Sequence, residues 1–370
     1  MTYIRVLFLV VLAWSAKTLA DDGVNYGFFS TVDNSFDLSS VPERIPLFNH
    51  SEPSPMPNGK DSAETFVLVC LSETDPHFGA CGTSIADAAA HDEPARNVNL
   101  LFTEQRTGIR QVLEITGQIT VCYWGTRPGF VDYFGGTGCE GGAYGHNANI
   151  STWISQKELK KLPVGGIWKA HMKLQVGQWH NPNWGPLPNT FWETDITLKV
   201  TDNNNIRIWF PQFYGSTANV IMPIMPAYWV LHSPGQVTAE KTVEACLYDG
   251  YNSNSKTFQV TFNSDSIDAG SQNFILRNTT TPGAPSLPFQ VFASSPGSDK
   301  ISKIVKPGET LVYPGMDTTA IRQVMMPHLQ KPVACVPWFL KLKLKPFDLS
   351  RQPAGHYTGI LSVTFTPSLD

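Results

Sequence analysis

Charge is scarce in this chain. Asp, Glu, Lys and Arg together make up 16% of 370 residues, and 27 basic against 31 acidic side chains leave a net charge of −4. No basic stripe is present to neutralise phosphates, which argues against a nucleic-acid partner. Long apolar runs are scarcer still. One lies at the start, from Val6 to Trp14, behind Arg5 and ahead of Thr18-Leu19-Ala20. It falls short of the ~20 residues a bilayer span needs and has the three-part form of a secretory signal cut after Ala20. We therefore expect residues 1–20 to be a signal peptide and the remainder to be a soluble, exported chain. Catalytic signatures are missing: there is no GxSxG, no HExxH and no P-loop spacing. The nine His are scattered without ligand spacing. Asp249-Gly-Tyr-Asn-Ser-Asn lacks the alternating acids and terminal Glu of a calcium loop and reads as a turn. Neither a metal nor a cofactor is expected. The six Cys include no CxxC pair, so zinc and redox sites are disfavoured. An even count in an exported chain implies disulfides, and although six allow 15 connectivities, spacing favours Cys70–Cys81, Cys122–Cys139 and Cys246–Cys335.

What the chain does have is Gly (29), Pro (28), Trp (10) and many short alternating stretches. From Ile167 to Val176, Trp168, Ala170, Met172, Leu174 and Val176 oppose Lys169, His171, Lys173 and Gln175. From Trp192 to Val200, Ile196, Leu198 and Val200 oppose Glu193, Asp195, Thr197 and Lys199. Period two of this kind marks strands of a sheet solvated on one side. Further strands are expected at Thr65–Leu71, Val98–Thr103, Ile109–Trp124, Tyr228–His232, Val243–Tyr248, Thr257–Phe262, Phe274–Arg277, Phe289–Ala293, Thr310–Tyr313, Trp338–Lys345 and Gly359–Phe365. Residues 31–62 read as an irregular lead-in, and only Ser84–His91 and Ser155–Lys161 look helical. Thr201-Asp-Asn-Asn-Asn205 is a polar break near the middle of the mature chain, with the β pattern restarting at Ile206. The pattern predicts an all-β protein of two tandem immunoglobulin-like sandwiches, with 21–202 and 206–370 as domains and 203–205 as linker.

Three features could carry chemistry. Glu193 and Asp195, two apart on one strand, lie roughly 7 Å apart on one face, a separation that glycoside hydrolases use. A solvated strand face needs such charges anyway, and we read them that way. The stretch from Gly177 to Trp192 reads as a loop, with Gln178, Trp179, His180, Asn183 and Trp184 in it. Aromatic faces beside amide and imidazole donors suit sugar rings, so these residues are the candidate receptor site. Arg106 and Arg110 are the remaining candidate basic groups. In the second half, Leu340, Leu342 and Leu344 alternate with Lys341, Lys343 and Lys345, which reads as a strand whose outward lysines block edge pairing.

The run LPVGGIW…MKLQV…DITLKVTDNNNIRIWFPQF resembles the tip subunit of class five, colonisation-factor type fimbriae, the CblD-like pilus initiator family. Cys246-Leu-Tyr-Asp-Gly-Tyr-Asn-Ser-Asn, Ala354-Gly-His-Tyr-Thr-Gly through Val363-Thr-Phe-Thr-Pro-Ser, Phe66-Val-Leu-Val-Cys-Leu-Ser and Leu101-Phe-Thr-Glu agree with it, in order. The resemblance implies an N-terminal adhesin domain for host-cell glycan, on glycolipid or glycoprotein. It implies a C-terminal pilin domain with an incomplete immunoglobulin fold, completed by a donor strand. A periplasmic chaperone would fill that groove first, and the N-terminal extension of the major fimbrial subunit would then replace it; an outer-membrane usher is a further implied partner. The product would sit at the fimbrial tip on the bacterial surface. The chain's end, Thr366-Pro-Ser-Leu-Asp370, offers no closing strand, and Asp21-Asp-Gly-Val-Asn-Tyr-Gly27 shows no alternating apolar donor run. The family's basic pocket is not carried over: its Arg pair falls at Gly177, Gln178 and Trp179, and a further Arg falls near Glu64 or Thr65. That shifts the expected ligand from an anionic toward a neutral sugar. Two rivals stay open, a pilus initiator that binds nothing and a secreted carbohydrate-active enzyme using Glu193 and Asp195.

Overall fold

The computed structural model describes residues 27–51, 65–83, 97–121, 125–128, 148–180, 183–227, 235–268 and 270–368. The expected signal peptide, the Ser84–His91 helix, the Tyr228–His232 strand and the Cys122–Cys139 pair lie outside them. The first half holds β1 (Phe28–Asp37), β2 (Arg44–Ser51), β3 (Thr65–Cys70), β4 (Val98–Glu104), β5 (Arg110–Val121), β6 (Gly125–Pro128), β7 (Ala148–Ser155), one short helix α1 (Gln156–Leu159), β8 (Gly166–His180) and β9 (Asn183–Thr201). Ser155 caps α1 by accepting from the Glu158 N–H, as a short polar N-cap residue does. The strands pair in the order β1-β9-β8-β4-β5-β7-β2, with β3 also on β8 and β6 also on β5. Trp168, Met172 and Leu174 of β8 and Ile196, Leu198 and Val200 of β9 point into the core, each under 2% exposed.

Two expectations are corrected here. Residues 31–62 are not an irregular lead-in throughout: β1 and β2 occupy much of the span. β1 is polar enough to pass for loop, but it runs parallel to β9 in unbroken register from Phe28↔Trp192 to Asp37↔Thr201, and a strand paired on one edge needs few apolar residues. Nor is Gly177–Trp192 a loop. β8 continues to His180 and β9 starts at Asn183, after a register shift between Gln175 and Gly177. Pairing of β3 with β8, as far as Thr65↔Trp179, holds that extension.

The second half holds β10 (Arg207–Trp209), β11 (Ile224–Pro226), β12 (Gln236–Tyr248), β13 (Thr257–Ser264), β14 (Phe274–Asn278), β15 (Leu287–Ser294), β16 (Ile301–Val305), β17 (Thr310–Pro314), β18 (Arg322–Val324), β19 (Val333–Leu344), β20 (Phe347–Asp348), β21 (Tyr357–Thr358) and β22 (Leu361–Ser368). One sheet runs β10-β12-β19-β15-β14-β21 and a smaller one β17-β13-β22. They enclose a core that includes Trp338, Phe258, Phe262 and Val291. The lysine stripe of β19 needs a different explanation from edge protection, because β19 lies between β12 and β15. Its lysines serve the outer face: Lys341 Nζ sits 3.0 Å from Glu240 on β12. Cys70–Cys81 and Cys246–Cys335 are disulfides. The chain is all-β, in two sheet domains.

Where the halves meet, the seam is polar and buried. Asp202 N–H donates to the Gly250 carbonyl at 2.8 Å. Asn252 donates Nδ2 to the Gly165 carbonyl at 2.7 Å and accepts the Ala334 N–H at 2.9 Å. The Asp249 carboxylate accepts from the N–H groups of Tyr251, Ser253 and Ser255, folding that segment into a tight turn. Gly165 is glycine because a Cβ there would strike the Gly250 carbonyl, which is backbone and cannot turn aside. Apolar continuity backs the polar contacts, since Trp209, Tyr248, Met326 and Val333 join the first half's core.

Candidate functional site

A groove of about 1240 Å³ lies in the second domain, lined by residues of both its sheets. One wall is β22, whose Leu361, Val363 and Phe365 turn inward while Ser362, Thr364 and Thr366 face out. β22 pairs with β13 along its whole length and, among the described residues, with no strand on its other edge. Residues 217–222 also line the groove. Ala218, Val220 and Met222 are half-buried and Thr217, Asn219 and Ile221 exposed, a period of two in a segment that joins no strand. Val243, Phe289, Leu340 and Leu344 form part of the floor. At the rim, Ile221 and Ile360 are 77% and 60% exposed. An unpaired strand edge beside an apolar trough is the shape that strand addition fills.

In the first domain the sequence candidates fall into two separated groups. Trp179 pairs with Trp184, His180 with Asn183 and Gln178 with Gly185 across the β8–β9 hairpin, so Gln178, Trp179, His180, Asn183 and Trp184 share its end. Arg110 pairs with Thr103, which pairs with Lys169 near the start of β8. Ten residues of strand separate Lys169 from Trp179, roughly 33 Å at about 3.3 Å per residue. Arg106 is engaged at the seam, donating Nη2 to the Thr319 carbonyl of the second domain at 2.9 Å. The structure therefore does not bring Arg106 or Arg110 into one site with the tryptophans. Trp192 is core, 4% exposed, against Phe28 and Phe48.

Glu193 and Asp195 do share the outer face, and both are engaged. His171 lies between them, Nδ1 at 2.7 Å from Asp195 Oδ1 and Nε2 at 3.0 Å from Glu193 Oε2. Lys173 Nζ is 3.1 Å from Glu193 and 4.0 Å from the Phe191 ring centroid. Phe78, on the segment closed by Cys70–Cys81, sets its ring edge-on to His171 at 5.7 Å. Nothing in the sequence reading drew Phe29, Phe78 and Phe191 together. At the hinge, burial pushes the Asp202 carboxyl above the usual carboxylate range, against the hydrogen bond from Asn205. Burial also opposes the charge of Asp37, but hydrogen bonds from the Ser39 hydroxyl, the Asn203 and Ser39 N–H groups and the Thr201 hydroxyl outweigh it and lower that carboxyl. Among the described residues no group of His, Cys, Asp and Glu is arranged to hold a metal.

The same two-part layout is found in known proteins. The family model for the first domain of CfaE, a CFA/I fimbrial protein, matches residues 27–203, and that for its second domain matches 206–369. The chain belongs to the CfaE family of CFA/I fimbrial proteins. CfaE of Escherichia coli CFA/I fimbriae is 28% identical over 304 residues, covering 81% of this chain and 80% of that protein. The crystal structure of CfaE, the adhesive subunit of CFA/I fimbria of enterotoxigenic E. coli, superposes with a TM-score of 0.74 at 25% identity, covering 92% of this chain and 93% of CfaE. A structure of a chaperone–tip adhesin complex in CFA/I fimbriae biogenesis gives 0.65 at 25% identity, over 92% and 97%. The resemblance to class five tip adhesins therefore stands, and with it a non-enzymatic role. The CfaE family consists of adhesive fimbrial proteins, which removes the carbohydrate-active-enzyme rival and leaves Glu193 and Asp195 as strand-face charges.

Proposed function

We propose that this chain is the adhesive cap of a fimbria, binding host-cell glycan through its first domain and joining the shaft through its second. The observation that carries the second half is the edge of β22 that pairs with no strand among the described residues and borders an apolar groove also lined by 217–222. A donor strand from the major fimbrial subunit, laid along that edge, would bond to it and bury alternate apolar side chains against Leu361, Val363 and Phe365. A periplasmic chaperone would hold the groove first, as the CFA/I chaperone–tip adhesin complex suggests for that relative, and an outer-membrane usher would release the product to the cell surface. Export removes 1–20; 21–202 is the adhesin domain, 203–205 the linker and 206–370 the pilin domain.

The test is complementation. The N-terminal extension of the major subunit, fused behind Asp370 through a flexible linker, is expected to raise the melting temperature well above that of the unfused chain. Val363→Asp and Phe365→Asp place a charge on the groove wall and are expected to cancel the gain. An unfused chain that melts as high as the fusion would refute strand acceptance.

A further inference from the structure

We infer that the outer face of β1, β9 and β8, between Phe29, Phe78 and Phe191, is a binding platform for an uncharged saccharide; this rests on the adhesin reading above and gives it a place. The solvated face of a strand with period two should carry polar residues, and most of this one does: Lys169, His171 and Lys173 on β8, and Glu193, Asp195, Thr197 and Lys199 on β9. Three phenyl rings break the rule. Phe29 lies opposite Glu193 in the β1–β9 register and is 62% exposed. Phe191 is two residues before Glu193 and hence on the same face. Phe78 is 38% exposed, and its carbonyl accepts the Lys173 N–H at 2.9 Å, which docks it on the side of β8 away from β9. The rings thus surround the group formed by Lys173, Glu193, His171 and Asp195.

The arrangement is built rather than loose. The Phe78 segment is closed by Cys70–Cys81 and turned by Asp75, which accepts the His77 N–H at 3.0 Å. The approach to Phe191 is pinned by Gln175, whose Nε2 donates to the carbonyls of Leu187 and Thr190 at 2.8 and 2.9 Å. The two carboxylates are positioned by His171 and Lys173. Single exposed apolar residues are ordinary, but several gathered on one face and rimmed by polar groups mark an interaction site. A sugar ring offers the matching pair of surfaces, an apolar C–H face for phenyl rings and hydroxyls for fixed acceptors.

Charge selects among sugars. Two carboxylates stand at the centre; Lys173 is committed to Glu193 at 3.1 Å and Lys199 to Asp33 at 2.9 Å, and Lys169 lies further along the face, opposite Thr197. A carboxylate on the ligand would meet like charge and no guanidinium fork. A neutral hexose or N-acetylhexosamine meets acceptors it can donate to.

The experiment uses the full mature chain on an array of uncharged and sialylated oligosaccharides, with the fold of each variant checked by circular dichroism. Binding to uncharged glycans is expected to fall about tenfold or more in Phe29→Ala and in Phe78→Ala. Phe78→Tyr keeps a ring and is expected to keep binding. Unchanged binding in both Ala variants, or loss confined to Trp179→Ala and Trp184→Ala at the hairpin end, would overturn the platform while leaving the adhesin role intact. Preference for sialylated glycans would overturn the charge argument and the inference with it. A folded chain that binds no glycan at all would overturn both the platform and glycan adhesion, without touching strand acceptance, which melting tests separately.

Discussion

Replacing Asn252 by Ala should open the seam between the domains, and its cost can be worked from the contacts. Asn252 is fully buried, at 0% exposure, and its side chain bridges the two halves: Nδ2 to the Gly165 carbonyl on one side, Oδ1 to the Ala334 N–H on the other. Truncation leaves both backbone groups without that partner in a site closed to solvent. An orphaned buried group costs about 1–3 kcal/mol. Asn252 also sits at φ 53°, a left-handed backbone that Asn tolerates and Ala accepts at a cost of roughly 1–2 kcal/mol. At the low end of each range the loss is about 3 kcal/mol. Hydrogen exchange reads it locally, because the Ala334 N–H is one of the two orphaned groups. If it exchanges by opening of the seam, about 3 kcal/mol corresponds to an acceleration on the order of a hundredfold. Asn252→Gly separates the terms, since it removes the contacts without the backbone strain. Unchanged protection at Ala334 in Asn252→Ala, with a stability loss below about 1 kcal/mol, would refute the idea that this amide holds the domains together.

The two described disulfides should differ in weight. Cys246–Cys335 closes a loop 89 residues apart in sequence and Cys70–Cys81 one of 11, so chain entropy puts their upper contributions at about 4.6 and about 2.8 kcal/mol; denaturant titration of the Cys246→Ala/Cys335→Ala and Cys70→Ala/Cys81→Ala pairs should rank them in that order. Alkaline pH should weaken the seam through Tyr248. Burial, with Asp202 and Asp249 adding to it, pushes this phenol well above its ordinary range, so the unfolded chain gives up the proton first, stability is full below about pH 10 and falls as pH rises, and two pH units above 10 should cost roughly 3 kcal/mol. Tyr248→Phe should flatten that decline. Because the hydroxyl is buried without a hydrogen-bond partner among the described residues, the substitution should also leave stability at neutral pH unchanged or slightly higher; a clear loss there would show a partner for the hydroxyl.

The sequence made some of this architecture plain and hid other parts for physical reasons. β8 and β9 were legible because one face of each is core and the other is solvent, so alternation survives in the residues themselves. β1 was not, because Ser-Thr-Val-Asp-Asn-Ser-Phe-Asp carries little alternation of its own, and its partner lies 164 residues away in a parallel register that no local pattern records. The continuation of β8 and β9 past Gly177 was masked by Gly177, Pro186 and Pro188, which break strands locally and here are overruled by the pairing of β8 with β3 and of β9 with β8. The groove is legible only by subtraction: β22 alternates as a strand should, and what is missing among the described residues is a neighbour on its second edge, which topology reveals and composition cannot.

The platform follows a subtler logic that the sequence did carry. Phe28-Phe29 and Phe191-Trp192 are adjacent aromatic pairs within strands, and successive residues of a strand point to opposite faces. Trp192 enters the core and Phe28, itself 37% exposed, packs on it and on Phe48, so Phe29 and Phe191 face the other way. Register places Phe28 beside Trp192 and so Phe29 beside Glu193, which puts the two outward rings on one face of neighbouring strands. Two aromatic doublets in paired strands thus force an exposed aromatic patch. Only Phe78, brought in by the Cys70–Cys81 segment, required the structure. A Phe29→Ser variant tests the point without glycan: it should leave thermal stability within about 0.5 kcal/mol, the range for surface substitutions, whereas Trp192→Ser, at a core position, should cost several times that. Equal losses would mean that Phe29 serves the core and that the outer face is no platform.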